Sequence, residues 1–176
     1  LRQLGDPSAD ELTESALASS TMPEPQVQAE LDLADGQLAV GHLRAAVESL
    51  DRADALAQVR LFSNRWRCEQ RSLLLRARWG LAVGDGDALA LAEEQAYGLA
   101  EACAARGDVR YQTLARLVLA RVRARQGTVV DRDAVAVDLR RLASVAALEA
   151  WWVTAETARD VGVSAWTALA EQRARE

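Results

Sequence analysis

The chain has 176 residues, a formal net charge of −5 and 50% hydrophobic residues, enough to bury the core of one domain or of one compact repeat array. It has a single histidine and two cysteines, and the cysteines form no CxxC pair. This argues against a histidine-based metal site, a catalytic triad, a thiolate metal cluster and a dithiol redox motif. The acidic balance disfavours nucleic-acid binding, and no apolar run reaches the roughly 18 residues that a membrane span needs.

Residues 1–22 are expected to form a separate N-terminal segment. Ser8 and Glu11 have the spacing of a capping box, which predicts one helix over about residues 8–20. A partly mobile segment is the alternative interpretation. The Ser/Thr-rich stretch that follows reads as a loop ending at Pro23.

Residues 23–176 are predicted to be one all-α repeat domain. Ala, Leu, Arg, Glu and Gln, which are strong helix formers, fill most positions, and no alternating apolar stretch is long enough to suggest a sheet. No proline follows Pro25, so glycine must interrupt the helices.

Glycines recur at a fixed interval along this domain. Gly41, Gly84 and Gly127 are 43 residues apart, and an alanine precedes each of them by seven positions. A regular interval of this size is typical of a repeat architecture. We expect each glycine to follow the first helix of a hairpin, where the backbone needs a positive φ. Ala155 and Gly162 keep the seven-residue spacing in a fourth, shorter unit.

These glycines divide the chain into four antiparallel helix hairpins. The hairpins are predicted at about 25–40 with 42–58, 64–83 with 86–106, 108–126 with 131–148, and 149–161 with 163–174. Asp108 and Asp131 are the expected N-caps of their helices, and Ser63 or Asn64 is the expected N-cap of the helix that begins near residue 64.

Residues 27–60 resemble a tetratricopeptide repeat. The resemblance rests on a small-residue pair in the first helix, a turn glycine, and the Ala-Leu-Ala positions of the second helix, namely Leu33, Ala34, Gly41, Ala46, Leu50 and Ala53. Trp151 occupies the tryptophan position of the family in the fourth unit. The middle units are about nine residues longer than the usual 34 and resemble the helical repeats of large bacterial transcription activators and signal-transduction ATPases of actinobacterial type.

The resemblance implies a right-handed α-solenoid of about four hairpins, in which the first helix of each unit lines a concave groove. Positions are counted along each first helix from the alanine that precedes its glycine by seven residues. On this count, we expect the ligand-facing groove residues to be Arg71, Leu74, Arg78, Arg121, Arg125, Trp152, Glu156 and Arg159. Arginine forms bidentate hydrogen bonds with carboxylates, so such a groove would suit an acidic peptide. The alternative is that these arginines pair with Asp and Glu on adjacent helices.

The sequence therefore predicts a protein–protein interaction module without catalytic activity, which binds a peptide or partner helix in the groove. We expect it to be part of a larger cytoplasmic regulatory or signalling protein, with no cofactor, no metal, no direct nucleic-acid contact and no membrane contact. A small-molecule-sensing domain of a transcription regulator is one alternative function. Self-association into a homodimer is the other.

Overall fold

The computed structural model describes residues 23–59, 62, 64–143, 148–163 and 166, with side chains throughout except at 23, 59, 143 and 148–152. Every regular element within these ranges is an α-helix, which confirms the all-α prediction. The expected N-terminal segment, 1–22, and most of the expected last helix, 163–174, lie outside the described residues. None of the helices in these ranges is long and apolar enough to cross a bilayer.

The chain forms two compact units, Leu1–Val83 and Gly84–Glu176. The described helices of unit 1 are α1 (Pro23–Ala39), α2 (Leu43–Val59) and α3 (Arg65–Val83). The described helices of unit 2 are α4 (Gly86–Arg106), α5 (Val109–Arg125), α6 (Arg132–Ala143) and α7 (Leu148–Val161). These bounds lie within two residues of the predicted ones, except that α6 ends at Ala143 where the prediction extends to about 148, and residues 144–147 lie outside the described residues. The predicted second hairpin has one helix in each unit, and its pairing stays a prediction.

The periodic glycines have the backbone conformation that their positions predict. Gly41, Gly84, Gly127 and Gly162 have φ values of 80°, 76°, 72° and 77°, in the left-handed region. After three of them the next amide closes the helix by bonding a carbonyl five residues back, as in His42 to Gln37 (2.8 Å), Thr128 to Arg123 (2.9 Å) and Val163 to Ala158 (2.8 Å). Glycine is therefore needed here for its conformation.

Aspartates cap three of the described helices of unit 2, α4, α5 and α6. The side chains of Asp108 and Asp131, both expected N-caps, accept hydrogen bonds from amides three residues later at 3.1 Å and 3.0 Å. Asp85 caps α4 in the same way at 2.7 Å. Each carboxylate satisfies a backbone donor that the first turn leaves without an intrahelical partner.

In unit 1, three helices pack against one another. Gln37, near the end of α1, bonds Ser49 of α2, and Glu30, two turns earlier in α1, bonds Arg52, which lies later in α2. The two helices therefore run antiparallel. Helix α3 runs antiparallel to α2 and parallel to α1, and it contacts both. The core between the three helices includes Val27, Leu31, Ala34, Leu50, Ala53, Ala57, Cys68 and Leu75.

Because α3 packs against two helices, it buries more than one stripe of side chains. Leu74 and Leu75 are 6% and 2% exposed, and Leu81 is 3% exposed. Adjacent residues on a helix differ by about 100° in direction, so neighbouring leucines can be buried together only if partners lie on two sides. Leu73 points elsewhere and is 37% exposed.

In unit 2, helix α5 lies at the centre. It contacts α4, α6 and α7, and α6 contacts α7, so that α5, α6 and α7 form the same triangle that α1, α2 and α3 form in unit 1. The central helix accordingly has buried residues on most sides, among them Ala115, Leu117, Val118 and Val122.

We predict opposite effects of alanine at two glycines of unit 2. Neither a Cβ at Gly127 nor one at Gly98 would meet a neighbouring atom within 4 Å, so only backbone conformation separates the two sites. Gly127→Ala should lower the free energy of unfolding by about 1 kcal/mol because of its positive φ. Gly98→Ala, within α4, should raise it by about 0.5–1 kcal/mol.

Urea unfolding followed by circular dichroism measures both changes. A shift of the same sign and size in the two variants would show that Gly127 is not held in the left-handed conformation.

Candidate functional site

Side chains at equivalent positions of α1 and α3 bond each other. Arg71 donates to Gln28 Oε1 at 3.2 Å and Arg78 donates to Asp35 Oδ1 at 2.7 Å, and both pairs are 43 residues apart in sequence. That is the interval of the repeating glycines. Because the offset is constant, α1 and α3 run parallel in a fixed register.

These contacts form a continuous line, which we call the unit 1 polar seam and define as Gln28, Asp32, Asp35, Arg71 and Arg78. Arg71 also donates to Asp32 Oδ1 at 2.7 Å and lies 3.9 Å from Asp35 Oδ2. The arginine side chains are 25% and 20% exposed, and both aspartates are 31% exposed. The seam is thus a half-buried strip of alternating charge, with each arginine held by a carboxylate.

The same arrangement occurs between α5 and α7, where Arg121, Arg125, Glu156 and Asp160 form the unit 2 polar seam. Arg121 donates to Glu156 Oε2 and Asp160 Oδ2, both at 2.7 Å. Arg125 lies 3.7 Å from Asp160 Oδ2. The Arg121–Glu156 and Arg125–Asp160 pairs are 35 residues apart, which equals the interval between Gly127 and Gly162.

The contacts in both seams favour the prediction that these arginines pair with Asp and Glu on adjacent helices over the prediction that they bind a ligand. Arg121 is 11% exposed and is held by two carboxylates, so it has little surface for a peptide. Arg125 is 50% exposed and is the more accessible arginine of its seam. Glu156, an expected groove residue, is 29% exposed and serves as a partner of Arg121.

The other expected groove residues differ in how exposed their side chains are. Leu74 is 6% exposed and belongs to the core of unit 1, which corrects its assignment to a ligand-facing surface. The cause is the packing of α3 against two helices instead of one. Arg159 is exposed, and the side chain of Trp152 lies outside the described residues.

A further set of ion pairs joins α2 to its neighbours on the side away from the seam residues. Arg76 of α3 bonds Asp54 at 2.7 Å and Asp51 at 2.8 Å. Burial opposes the charge on Arg76, but the hydrogen bonds to these two carboxylates outweigh it and raise the pKa of the guanidinium. Glu30 and Arg52 link α1 to α2 through two bonds of 2.9 Å and 3.0 Å.

Unit 2 has a small open cavity between α5, α6 and the connecting residues 126–131, and no sequence pattern predicts it. Its volume is about 130 Å³. Asp138 of α6 lines it with a side chain that is only 4% exposed, and Oδ2 of this residue pairs with Arg116 Nε at 2.9 Å. Burial raises the pKa of the Asp138 carboxyl, although Arg116 and Arg141 oppose the shift.

The single histidine and the two cysteines belong to neither seam. His42 is exposed beside a turn glycine, and the thiols of Cys68 and Cys103 are buried. Among the residues that the structure describes, no group of three His, Cys, Asp or Glu side chains could hold a metal ion.

Comparisons with protein-family models, curated proteins and solved structures find no match to this chain. The resemblance to tetratricopeptide repeats therefore stays a prediction.

We predict very different costs for removing two arginines of the unit 2 polar seam. Arg121→Gln leaves Glu156 and Asp160 facing each other in a half-buried site and should lower the free energy of unfolding by about 2–3 kcal/mol. Arg125→Gln, one turn further along α5, should cost about 0.5 kcal/mol or less because its side chain is 50% exposed. Urea unfolding checks both values, and equal costs would contradict the structural role of Arg121.

We also predict that both thiols react slowly in the folded protein. Cys68 and Cys103 are 1% and 0% exposed, and burial raises the pKa of each thiol, so little thiolate is present at pH 7.5. A disulfide reagent should label two cysteines rapidly in 8 M urea and at a rate at least 100-fold lower without it. Rapid labelling of the native chain would contradict their burial.

Proposed function

We propose that this chain is a non-catalytic protein-interaction module, built as a tetratricopeptide-like array of about four hairpins in a right-handed α-solenoid. The partner is a peptide or helix that binds along the surface made by the first helices of the repeats. We propose that the chain is part of a regulatory or signalling protein, because its longer units resemble the helical repeats of bacterial transcription activators and signal-transduction ATPases.

One observation carries the proposal: residues at equivalent positions of successive first helices touch each other in both units. In tandem helical repeats, this placement extends one strip of side chains from each repeat to the next. Repeat proteins use such extended surfaces to bind elongated partners. The 20–31% exposure of the charged seam side chains in unit 1 leaves their outer edges accessible to a partner.

The seam also changes the expected chemistry of the partner. Since Arg71 and Arg78 already hold carboxylates, a purely acidic peptide would have to displace Asp32 and Asp35 or share their arginines. A segment that alternates acidic and basic groups complements the strip without breaking these pairs. We therefore propose a peptide or helix of mixed charge as the partner of unit 1.

The test is a charge swap that keeps the ion pair and inverts its polarity. Twelve-residue peptides of mixed charge would be selected from a displayed library against the full chain, and their affinity measured by fluorescence anisotropy. In Asp35→Arg/Arg78→Asp the internal pair can re-form, and Arg71, 3.9 Å from the original Asp35, keeps its 2.7 Å bond to Asp32. The fold should therefore survive, as circular dichroism would show. The affinity of the variant for the selected peptides should fall at least tenfold, because each inverted charge then faces a peptide group of the same sign.

The matched control is Arg44→Glu on α2, because this arginine is 93% exposed and lies outside the seam. It should change affinity by less than twofold. Raising NaCl from 50 to 300 mM should weaken binding to the wild type by several-fold. Unchanged affinity in the folded charge-swap variant would overturn the proposal that this surface is the binding site.

A further inference from the structure

We propose that two copies of this chain associate through unit 2, with Val129 of each copy inserted into the cavity between α5 and α6 of the other. The contact is formed by residues of α5, α6 and the connecting segment 126–131. It uses none of the residues of the polar seams, so it is a second interaction surface beyond the one proposed for a peptide.

The first feature is an aliphatic side chain that projects from the surface at the mouth of the cavity. Val129 is 92% exposed, more than any other large hydrophobic residue in the described part of the chain. The backbone on both sides of it is fixed, because the amide of Thr128 closes α5 through Arg123 O at 2.9 Å and Asp131 caps α6 at 3.0 Å. A β-branched side chain on such a short segment loses little conformational freedom when it binds.

The second feature is the size and the aliphatic lining of the cavity. The lining includes five aliphatic side chains, those of Leu119, Ala120, Val130, Ala134 and Val135. The volume is about 130 Å³, and a cavity of about 150 Å³ holds benzene with its six carbon atoms. The three carbons of an isopropyl group therefore fit. The groups that line an apolar cavity gain dispersion contacts when such a side chain enters it, and the entering group leaves water.

The third feature identifies a second copy as the occupant. The projecting valine and a cavity that fits it lie side by side, so a twofold axis between two copies forms two identical contacts at once. The charges at the mouth are also complementary between copies. The α5 wall contributes Arg116 and Arg123, whose side chains are 40% exposed, and the exposed carboxylate of Asp131 lies two residues after the projecting valine. Insertion of the valine brings this carboxylate to the mouth of the other cavity, where the arginines lie.

The test is sedimentation equilibrium of the full chain between 10 and 500 μM, where we expect a reversible equilibrium of monomer and dimer. Val129→Ser changes an exposed side chain and Ala134→Leu fills the cavity, and neither alters a charge, so each should raise the Kd of the dimer at least tenfold. The matched controls Val109→Ser and Ala136→Leu change residues outside the lining and should leave the Kd within twofold. A monomeric wild type at 500 μM, or a dimer that folded Val129→Ser leaves unchanged, would overturn the proposal.

A mixture of the two variants tests whether the insertion is reciprocal. Val129→Ser keeps the cavity and Ala134→Leu keeps the projecting valine, so a mixed dimer regains one of the two contacts that both homodimers lose. Fluorescently labelled Val129→Ser should therefore bind Ala134→Leu at least threefold more tightly than it binds unlabelled Val129→Ser. Equal affinities would contradict reciprocal insertion. Growth of the wild type beyond a dimer would contradict the twofold arrangement, because a one-way contact that does not close forms open chains.

Discussion

The contact of α1 with α3, and that of α5 with α7, is the interaction on which the architecture of each unit depends. In unit 1, Arg71 and Arg78 reach Gln28 and Asp35 at a constant offset of 43 residues, and this offset sets the axial position of α3 against α1. Apolar contacts bury the core but tolerate sliding, since leucine and alanine pack with many neighbours. A charged pair is more selective, because a shift by one turn would separate Arg78 from Asp35, and a half-buried charge without its partner costs free energy. The ion pairs therefore specify register while the apolar residues supply most of the free energy of folding.

This role explains why an acidic protein uses so many arginines between its helices. Surface ion pairs contribute little to stability, but the seam side chains are half-buried and several have two partners. Arginine suits the task because its planar group bonds two carboxylates at once, as Arg121 does with Glu156 and Asp160. The same pairing limits the surface's use as a receptor for free carboxylates. Structural and recognition roles thus compete for the same guanidinium groups.

Much of the local structure could be predicted from the sequence. The glycine interval gave the ends of α1, α3, α5 and α7, because a left-handed residue after a helix is a strong local signal. Asp108 and Asp131 gave helix starts for the same reason, since a cap acts within one turn. What depends on distant neighbours was harder to predict. Leu74 was misassigned because a single-helix count could not show that α3 packs on two sides, and the Asp138 cavity arises from the separation of α5 and α6, which no pattern encodes.

The central claim is that Asp35 and Arg78, 43 residues apart, are direct partners that hold α3 in register with α1. A double-mutant cycle tests it most directly, with Asp35→Asn, Arg78→Gln and the double variant unfolded in urea at low ionic strength. The structure predicts that the two single changes are non-additive by about 1 kcal/mol, given that both side chains are mostly buried. Additive effects within about 0.3 kcal/mol would show that the two residues do not interact. That result would contradict the register of α3 against α1 on which the account of the seams rests.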